Sequence, residues 1–162
     1  MKKISFKNIQ NTILIVALFI IVTPILIVFS PIILIIWINT YFTTKKFNTE
    51  YTDYLKSIEG AKFFCYNNRK NSQGFIEKNI IPILSDDIKL IFLNGRKVKS
   101  NFNQKFVSKT LNEINDRKGF PYLLKVENAK IISKSINRDF YNVKNQNCDI
   151  EKLKEILKKF YY

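Results

Sequence analysis

One stretch of the chain constrains its fold more than any other: residues 13–38 carry no charged side chain. Only Thr23, Ser30 and two prolines interrupt the apolar side chains of these 26 residues. At about 1.5 Å per residue, a helix of this length reaches about 39 Å, which exceeds the roughly 30 Å hydrocarbon core of a bilayer. A core helix of a soluble protein would show a polar face, which this stretch lacks. The sequence therefore predicts a transmembrane helix over residues 13–39.

The flanks of this stretch indicate a retained anchor in the cell membrane. Residues 1–12 form a basic tail with three lysines and no acidic side chain. The apolar run is longer than the roughly 7–15 residues of a signal peptide and ends without a small-residue cleavage site. It ends instead at Trp37, Tyr41 and Phe42, which we interpret as an interfacial aromatic belt.

The orientation of the anchor follows from a near balance of charge. Lys45, Lys46 and Lys56 follow the apolar run, against three lysines and the terminal amine before it. The slight excess before the span favours a cytoplasmic N-terminus and an extracytoplasmic domain. The balance leaves the cytoplasmic location of the domain as the alternative.

Two prolines within the run allow a second topology. Pro24 and Pro31 lie seven residues apart and so kink one helix face, as in many membrane helices. Residues 29–34 also resemble the Ser-Pro break in the membrane helix of bacterial monotopic phosphoglycosyl transferases, which implies a re-entrant hairpin. The Asp-Glu catalytic pair of that family is absent, so the resemblance carries no activity to this chain.

The composition after the span predicts one basic domain. Residues after position 40 hold 24 of the 27 basic and all 13 acidic side chains, a net charge of +11. We expect a partly helical linker over 40–60 and a folded domain over 61–162. The bilayer is the first expected partner because anionic lipid attracts such a domain. The basic clusters are short and accompany no nucleic-acid-binding motif, so we do not expect nucleic acid to bind.

The side chains available for chemistry are few. The chain has no histidine, the commonest general base and metal ligand, and only two cysteines. Two cysteines cannot complete a structural zinc site, and no phosphate loop or nucleophile elbow is present. We therefore expect no metal, no cofactor and no identifiable catalytic residue.

The order of apolar patterns after the linker predicts an α/β domain. Strands are indicated at residues 61–66, 88–93, 122–127 and 130–136, and helices at 75–84, 103–114 and 149–160. Residues 67–74 are interpreted as a loop, and Asn128-Ala129 as a tight hairpin turn.

This βαβ-α-ββα order resembles the thioredoxin fold, a three-layer α/β domain. Two prolines carry the likeness. Pro82 lies in the apolar stretch of the first helix, where that family has a kinking proline. Pro121 opens the hairpin strand, where that family has a proline that is usually cis. The resemblance covers residues 61–162 behind the membrane helix.

The chain departs from that family at its active site. The resemblance implies Cys-x-x-Cys eight and five residues before the helix proline, and those positions hold Gly74 and Glu77. Dithiol–disulfide exchange should then be lost. Together with Phe120, Pro121 and Tyr122, these positions form the candidate groove for a peptide.

The two cysteines support a rival hypothesis. Cys65 sits in a predicted buried strand, where a thiol serves as a small apolar side chain. Cys148 precedes the last helix, whose backbone amides would lower its pKa. Either would be the thiol of a monothiol enzyme, or the two would pair if the domain faces an oxidising compartment.

The sequence as a whole favours a membrane-anchored, non-catalytic thioredoxin-like module that binds or assembles a protein or peptide partner at the bacterial envelope. The alternatives are a monothiol redox or envelope-assembly enzyme, and a basic immunity-like or scaffold protein on anionic lipid. The sequence does not specify an oligomeric state.

Overall fold

The computed structural model describes residues 6–95, 97–114, 116–146 and 149–162, with the backbone alone for residues 6–10, 12 and 13. The chain divides into two compact units, the first ending at Asn48 and the second comprising Thr49–Tyr162. One helix, α1 (Phe6–Ser57), runs through the first unit and provides the opening turns of the second.

Helix α1 is long and apolar enough from Leu14 onward to span a membrane. It continues through both prolines. Pro31 has no amide hydrogen for the carbonyl of Ile27, four residues earlier, and the Ser30 hydroxyl donates to that carbonyl at 3.0 Å. A neighbouring hydroxyl therefore satisfies the carbonyl that the proline leaves unbonded, as membrane helices require.

The second unit is a mixed sheet covered by helices on both faces. The strands follow the order β3-β2-β1-β4-β5; β1 and β2 are parallel and all other pairs are antiparallel. The mixed α/β class behind a long apolar helix, predicted from the sequence, is confirmed. The strand bounds are β1 (Lys62–Asn67), β2 (Ile88–Asn94), β3 (Lys97–Lys99), β4 (Tyr122–Glu127) and β5 (Lys130–Ser135).

The helices of this unit are α2 (Lys70–Phe75), α3 (Gln104–Asn112), α4 (Asn137–Gln146) and α5 (Ile150–Tyr161). Helix α2 continues directly into a π-helical segment, Ile76–Ile80, and a 3₁₀ turn, Ile81–Ile83. The helix at this position thus begins five residues before the predicted start at residue 75. The apolar pattern begins only at Phe75, because the first turns carry mainly polar side chains that face solvent.

Two further elements lack a sequence signal. Strand β3 is three residues long and alternates lysine with valine, which is too short to produce a pattern. Helix α4 is largely polar and buries Phe140 and Val143 alone among its apolar side chains. Both elements form because the adjacent sheet and helices supply the packing that their own sequences do not specify.

The alternation of side chains along β1 separates two apolar layers. Phe64 and Tyr66 pack on one face with α5, α4 and the helix that follows β1; we call this the α5 face. Phe63 and Cys65 pack on the other face with α3 and the last turns of α1, the α3 face. Four consecutive buried residues in β1 therefore place this strand at the centre of the domain.

The hairpin between β4 and β5 is held by a carboxylate from another part of the chain. Asn128 and Ala129 both have φ of 54°, as a two-residue hairpin turn requires. Their backbone amides donate to the two carboxylate oxygens of Glu59 at 2.6 and 2.9 Å. The predicted tight turn is confirmed, and Glu59 fixes its geometry where the preferred Asn-Gly pair is absent.

Replacing Glu59 with glutamine should destabilise the domain by about 1 kcal/mol, because a glutamine amide accepts only one of the two turn hydrogen bonds. Urea unfolding of the full-length protein in detergent micelles, followed by near-UV circular dichroism, measures this difference. Glu155→Gln is the matched control, since Glu155 is exposed and pairs with no described residue. Equal midpoints for the two variants would show that the clamp contributes nothing to stability.

Candidate functional site

The strand register brings several chain segments to one edge of the sheet. Because β1 and β2 are parallel, Asn67 and Asn94 end at the same edge. Strand β4 runs antiparallel to β1 and pairs Tyr122 with Cys65, so the residues before Tyr122 lie there too. We call this the carboxyl edge, formed by residues 67–69, 94–95, 119–121 and 135–137. Ligands of sheets with parallel strands bind preferentially outside such strand ends.

Side-chain amides tie the loops of this edge together. The Asn68 amide nitrogen donates to the Asn94 side-chain oxygen at 2.6 Å, and the Gly95 backbone amide donates to the Asn68 side-chain oxygen at 3.3 Å. The backbone amide of Asn68 also continues the ladder by donating to Leu93 at 2.9 Å. Both asparagines are exposed, so the loops after β1 and β2 present a fixed polar surface.

Side-chain hydrogen bonds also fix the segment before β4. The Phe120–Pro121 peptide is cis, and Pro121 is buried. The Asn137 side-chain amide donates to the Phe120 carbonyl at 2.5 Å, and the Ser135 hydroxyl donates to the Gly119 carbonyl at 2.6 Å. Gly119 has φ of +107°, and a Cβ there would lie 3.0 Å from the Asn137 amide nitrogen. Glycine is therefore the residue that this loop requires.

The five residues of the predicted groove occupy three places. Phe120 and Pro121 lie at the carboxyl edge. Gly74 lies in α2, and Glu77 accepts a hydrogen bond from Gln73 at 2.9 Å on the α5 face. Tyr122 is buried on the α3 face, where its ring packs edge-on against Phe120 with centroids 4.9 Å apart. Tyr122 is thus a core residue, and its hydroxyl accepts from the Gly119 amide at 3.0 Å.

The start of α2 supplies residues that the sequence analysis did not select. Arg69 is the N-cap of the helix and is exposed, and Ser72 is buried with its hydroxyl donating to the Arg69 carbonyl at 3.1 Å. Asn68 and Asn94 were missed as well. A polar run directly after a buried strand was the available signal for these positions, because strand ends are where ligands bind.

Cys65 is enclosed by the α3 face and has no exposed surface. Burial raises the pKa of its thiol far above the usual value, so the thiolate required of a nucleophile is suppressed. Its thiol is free. This location does not suit the monothiol alternative. Cys148, the other candidate thiol, lies outside the described residues.

A second polar cluster lies at the opposite end of the sheet, before β2. The Asp87 carboxylate accepts from the Lys62 ammonium at 2.8 Å and from the Tyr162 hydroxyl at 2.9 Å. The Lys62 ammonium also lies 3.5 Å from the centre of the Tyr162 ring. These hydrogen bonds, that of Lys62 first, lower the pKa of the Asp87 carboxyl to about 2. The cluster joins the final residue to the first and second strands.

The remaining predicted site residues lie on α1. Trp37, Tyr41 and Phe42 are exposed there, with Trp37 and Tyr41 stacked at 6.3 Å between ring centroids. Among the described residues, no group of three acidic or cysteine side chains could hold a metal ion.

Comparisons with protein-family models, with curated proteins and with solved structures give no significant match to this chain.

The burial of Cys65 predicts a chemically silent thiol in the folded protein. In a Cys148→Ser variant, Cys65 should remain unmodified by a maleimide at pH 8 over an hour, because neither reagent nor hydroxide reaches it. The same protein in denaturant should label completely, as intact mass would record. Rapid stoichiometric labelling without denaturant would contradict the burial and reopen the monothiol alternative for Cys65.

The lowered pKa of Asp87 predicts an acid-sensitive contribution to stability. A carboxyl with a depressed pKa stabilises the fold above its unfolded value of about 3.9, and this contribution is lost as pH falls toward about 2. Asp87→Asn should therefore flatten the dependence of the unfolding free energy on pH between 4 and 2. Asp86→Asn removes the same charge at the adjacent exposed position and is the comparison variant. An unchanged slope for Asp87→Asn would disprove the assignment.

Proposed function

We propose that this chain is a membrane-anchored, non-catalytic thioredoxin-like module that binds a protein or peptide partner at the bacterial envelope. The strand order β2-β1-β4-β5 supports the thioredoxin-like assignment, with β1 and β2 parallel and β4 and β5 antiparallel. Helix α2 connects β1 to β2 and α5 closes the chain, as the resemblance implies. Strand β3 and helix α4 are additions to that pattern.

The shared carboxyl edge is the observation that carries the functional proposal. Pro121 lies beside the end of β1, from which α2 begins, so Phe120, Pro121 and the start of the first helix lie at one sheet edge, whereas Gly74 and Glu77 lie further along that helix. The start of α2 presents the exposed Arg69 at this edge, whose carbonyl accepts a hydrogen bond from the buried Ser72 hydroxyl. A surface with this arrangement and no thiol pair suits recognition rather than dithiol exchange.

The chemistry of the edge indicates the kind of segment that would bind. Asn68 and Asn94 offer amide donors and acceptors, which suit the backbone of an extended peptide. Arg69 and Lys70 are exposed beside them, and Arg117 lies in the loop before Gly119. A partner with an extended, acidic segment matches both the hydrogen-bonding groups and the charge.

The anchor gives this module its location. Helix α1 is the transmembrane segment in this proposal, with the basic N-terminal tail in the cytoplasm and the domain outside. Attachment confines the domain to the membrane surface, which raises its effective concentration toward partners held on the same surface.

Site-specific photo-crosslinking in intact cells tests the proposal on the full-length protein. A photoreactive side chain at Asn68 should give a discrete adduct with a protein partner, and Arg69→Glu should reduce that adduct about tenfold through charge reversal. Position 130 is the control. Lys130 is exposed and lies opposite Glu127 in the β4–β5 register, at the other end of the sheet. The same adduct from both positions, or none from Asn68, would reject the carboxyl edge as the recognition surface.

A further inference from the structure

An apolar cleft lies between α5 and the chain segment that enters β2. Ile83, Leu84 and Ile88 line one side, and Leu157 and Tyr161 line the other. Its volume is about 450 Å³, within the roughly 300–1,000 Å³ of small-molecule sites. Ile88 begins β2, so the cleft lies at the opposite end of that strand from the carboxyl edge.

The irregular end of the preceding helix leaves this space. The π-helical segment passes into a 3₁₀ turn containing Pro82, and Leu84 is already extended, with φ of −76° and ψ of 144°. The chain therefore stops being helical at Leu84, and α5 leaves the space beside this residue uncovered. Ile83 and Leu84 are large aliphatic side chains that pack against the core, yet both are only half-buried.

The α5 side of the cleft combines apolar and basic groups. Lys154, Leu157, Lys158 and Tyr161 follow the i, i+3, i+4, i+7 spacing of one helix face. Lysine stems can lie along apolar surface while the ammonium groups stay at the solvent-facing rim. Lys154 pairs with Glu151 at 2.6 Å, whereas Lys158 forms no ion pair with any side chain that the structure describes.

Two acidic groups near the cleft already have basic partners. Asp87 is bonded to Lys62 and to the Tyr162 hydroxyl, and Glu151 is paired with Lys154. The Ser85 hydroxyl, which also lines the cleft, shares a hydrogen bond of 3.0 Å with the Tyr162 hydroxyl. The Tyr162 hydroxyl donates to Asp87 and the Ser85 hydroxyl to Tyr162, so the rim offers the Lys158 ammonium above an apolar interior.

We infer that this cleft binds a single-chain anionic amphiphile. The acyl chain lies against Ile83, Leu84 and Leu157, and the anionic head group is held by Lys158, the rim lysine that has no acidic partner among the described residues. A fatty-acid carboxylate and a lysophospholipid phosphate share this chemistry. The site does not depend on the partner surface at the carboxyl edge. The proposed membrane anchor would bring it close to such amphiphiles at high local concentration.

Photo-labelling of the full-length protein in phosphatidylcholine vesicles tests this site. The probes are a fatty acid with a diazirine at the end of its chain, the matching lysophosphatidate, and the matching fatty alcohol. Mass spectrometry would compare labelling of residues 83–88 and 154–161 with labelling of the apolar part of α1. That ratio corrects for the amount of probe in the bilayer.

The expected result is strong labelling of the cleft by an anionic probe and about fivefold to tenfold weaker labelling in Lys158→Glu, since an attraction becomes a repulsion. Lys159→Glu is the matched control: it makes the same charge change on the next residue, which is exposed and does not line the cleft. Its ratio should stay within about twofold of the parent chain. The stronger of the two anionic probes identifies the head group.

Three results would overturn the inference. Equal losses in Lys158→Glu and Lys159→Glu would reduce the effect to general surface charge. Equal labelling by the fatty alcohol would remove the role of Lys158. Unchanged labelling in Ile83→Gln, with circular dichroism and the unfolding midpoint as in the parent, would remove the apolar wall. Loss of cleft labelling in that folded variant supports the site independently of charge.

Discussion

The burial of β1 on both faces is the constraint on which the rest of the domain depends. Four consecutive side chains of this strand, Phe63 to Tyr66, are buried, and they alternate between the α3 and α5 faces. A strand of this kind requires cover on both sides of the sheet. The last turns of α1 supply part of that cover through Tyr51 and Leu55, with the Tyr51 hydroxyl bonded to Thr110 at 2.9 Å. The end of the long helix is therefore part of the domain core.

Because the middle of β1 is buried on both faces, polar side chains that could bind a ligand lie at the ends of the strands. A thiol in the middle of β1 has neither solvent nor a stabilised thiolate, so Cys65 is a packing residue. Polar groups cluster at both ends of the parallel strands. The asparagine amides lie at the carboxyl edge, and Lys62, Asp87 and Tyr162 lie at the end where β1 and β2 begin. The two proposed binding sites lie at opposite ends of the same parallel pair, which allows each to be altered without the other.

The sequence predicts most of the fold, for reasons visible in particular residues. The strands lie within one residue of their predicted bounds because continuous apolar runs end at clear turn residues, as at Asn128-Ala129. The start of α2, strand β3 and helix α4 were missed because their stability comes from tertiary packing. Tyr122 shows a further limit of pattern reasoning. In a run buried on both faces, as Tyr122-Leu123-Leu124 is, composition does not reveal which side chain points to which face.

The candidate site was predicted only in part for the same reason. Pro121 can be recognised in the sequence because it is a proline at the start of a strand. Asn68 and Asn94 stand out only in the structure, where the parallel pairing of β1 and β2 brings their two loops together. Gly74 and Glu77 were selected by their distance from Pro82. That distance comes from the resemblance, and in this chain residues 76–83 form π and 3₁₀ turns.

Ionic strength separates the two proposed kinds of recognition. The carboxyl edge offers Arg69 and Lys70 on an exposed surface, where attraction to an acidic segment is screened within about 8 Å at physiological salt. In the cleft, Lys158 adds charge to an apolar contact with Leu157 and Ile83, and salt does not screen that apolar contact. Rising salt should therefore weaken partner binding steeply and amphiphile binding only until the head-group contribution is lost. In these two proposals basic side chains contribute to both kinds of binding, and only the amphiphile also gains an apolar contact that salt does not screen.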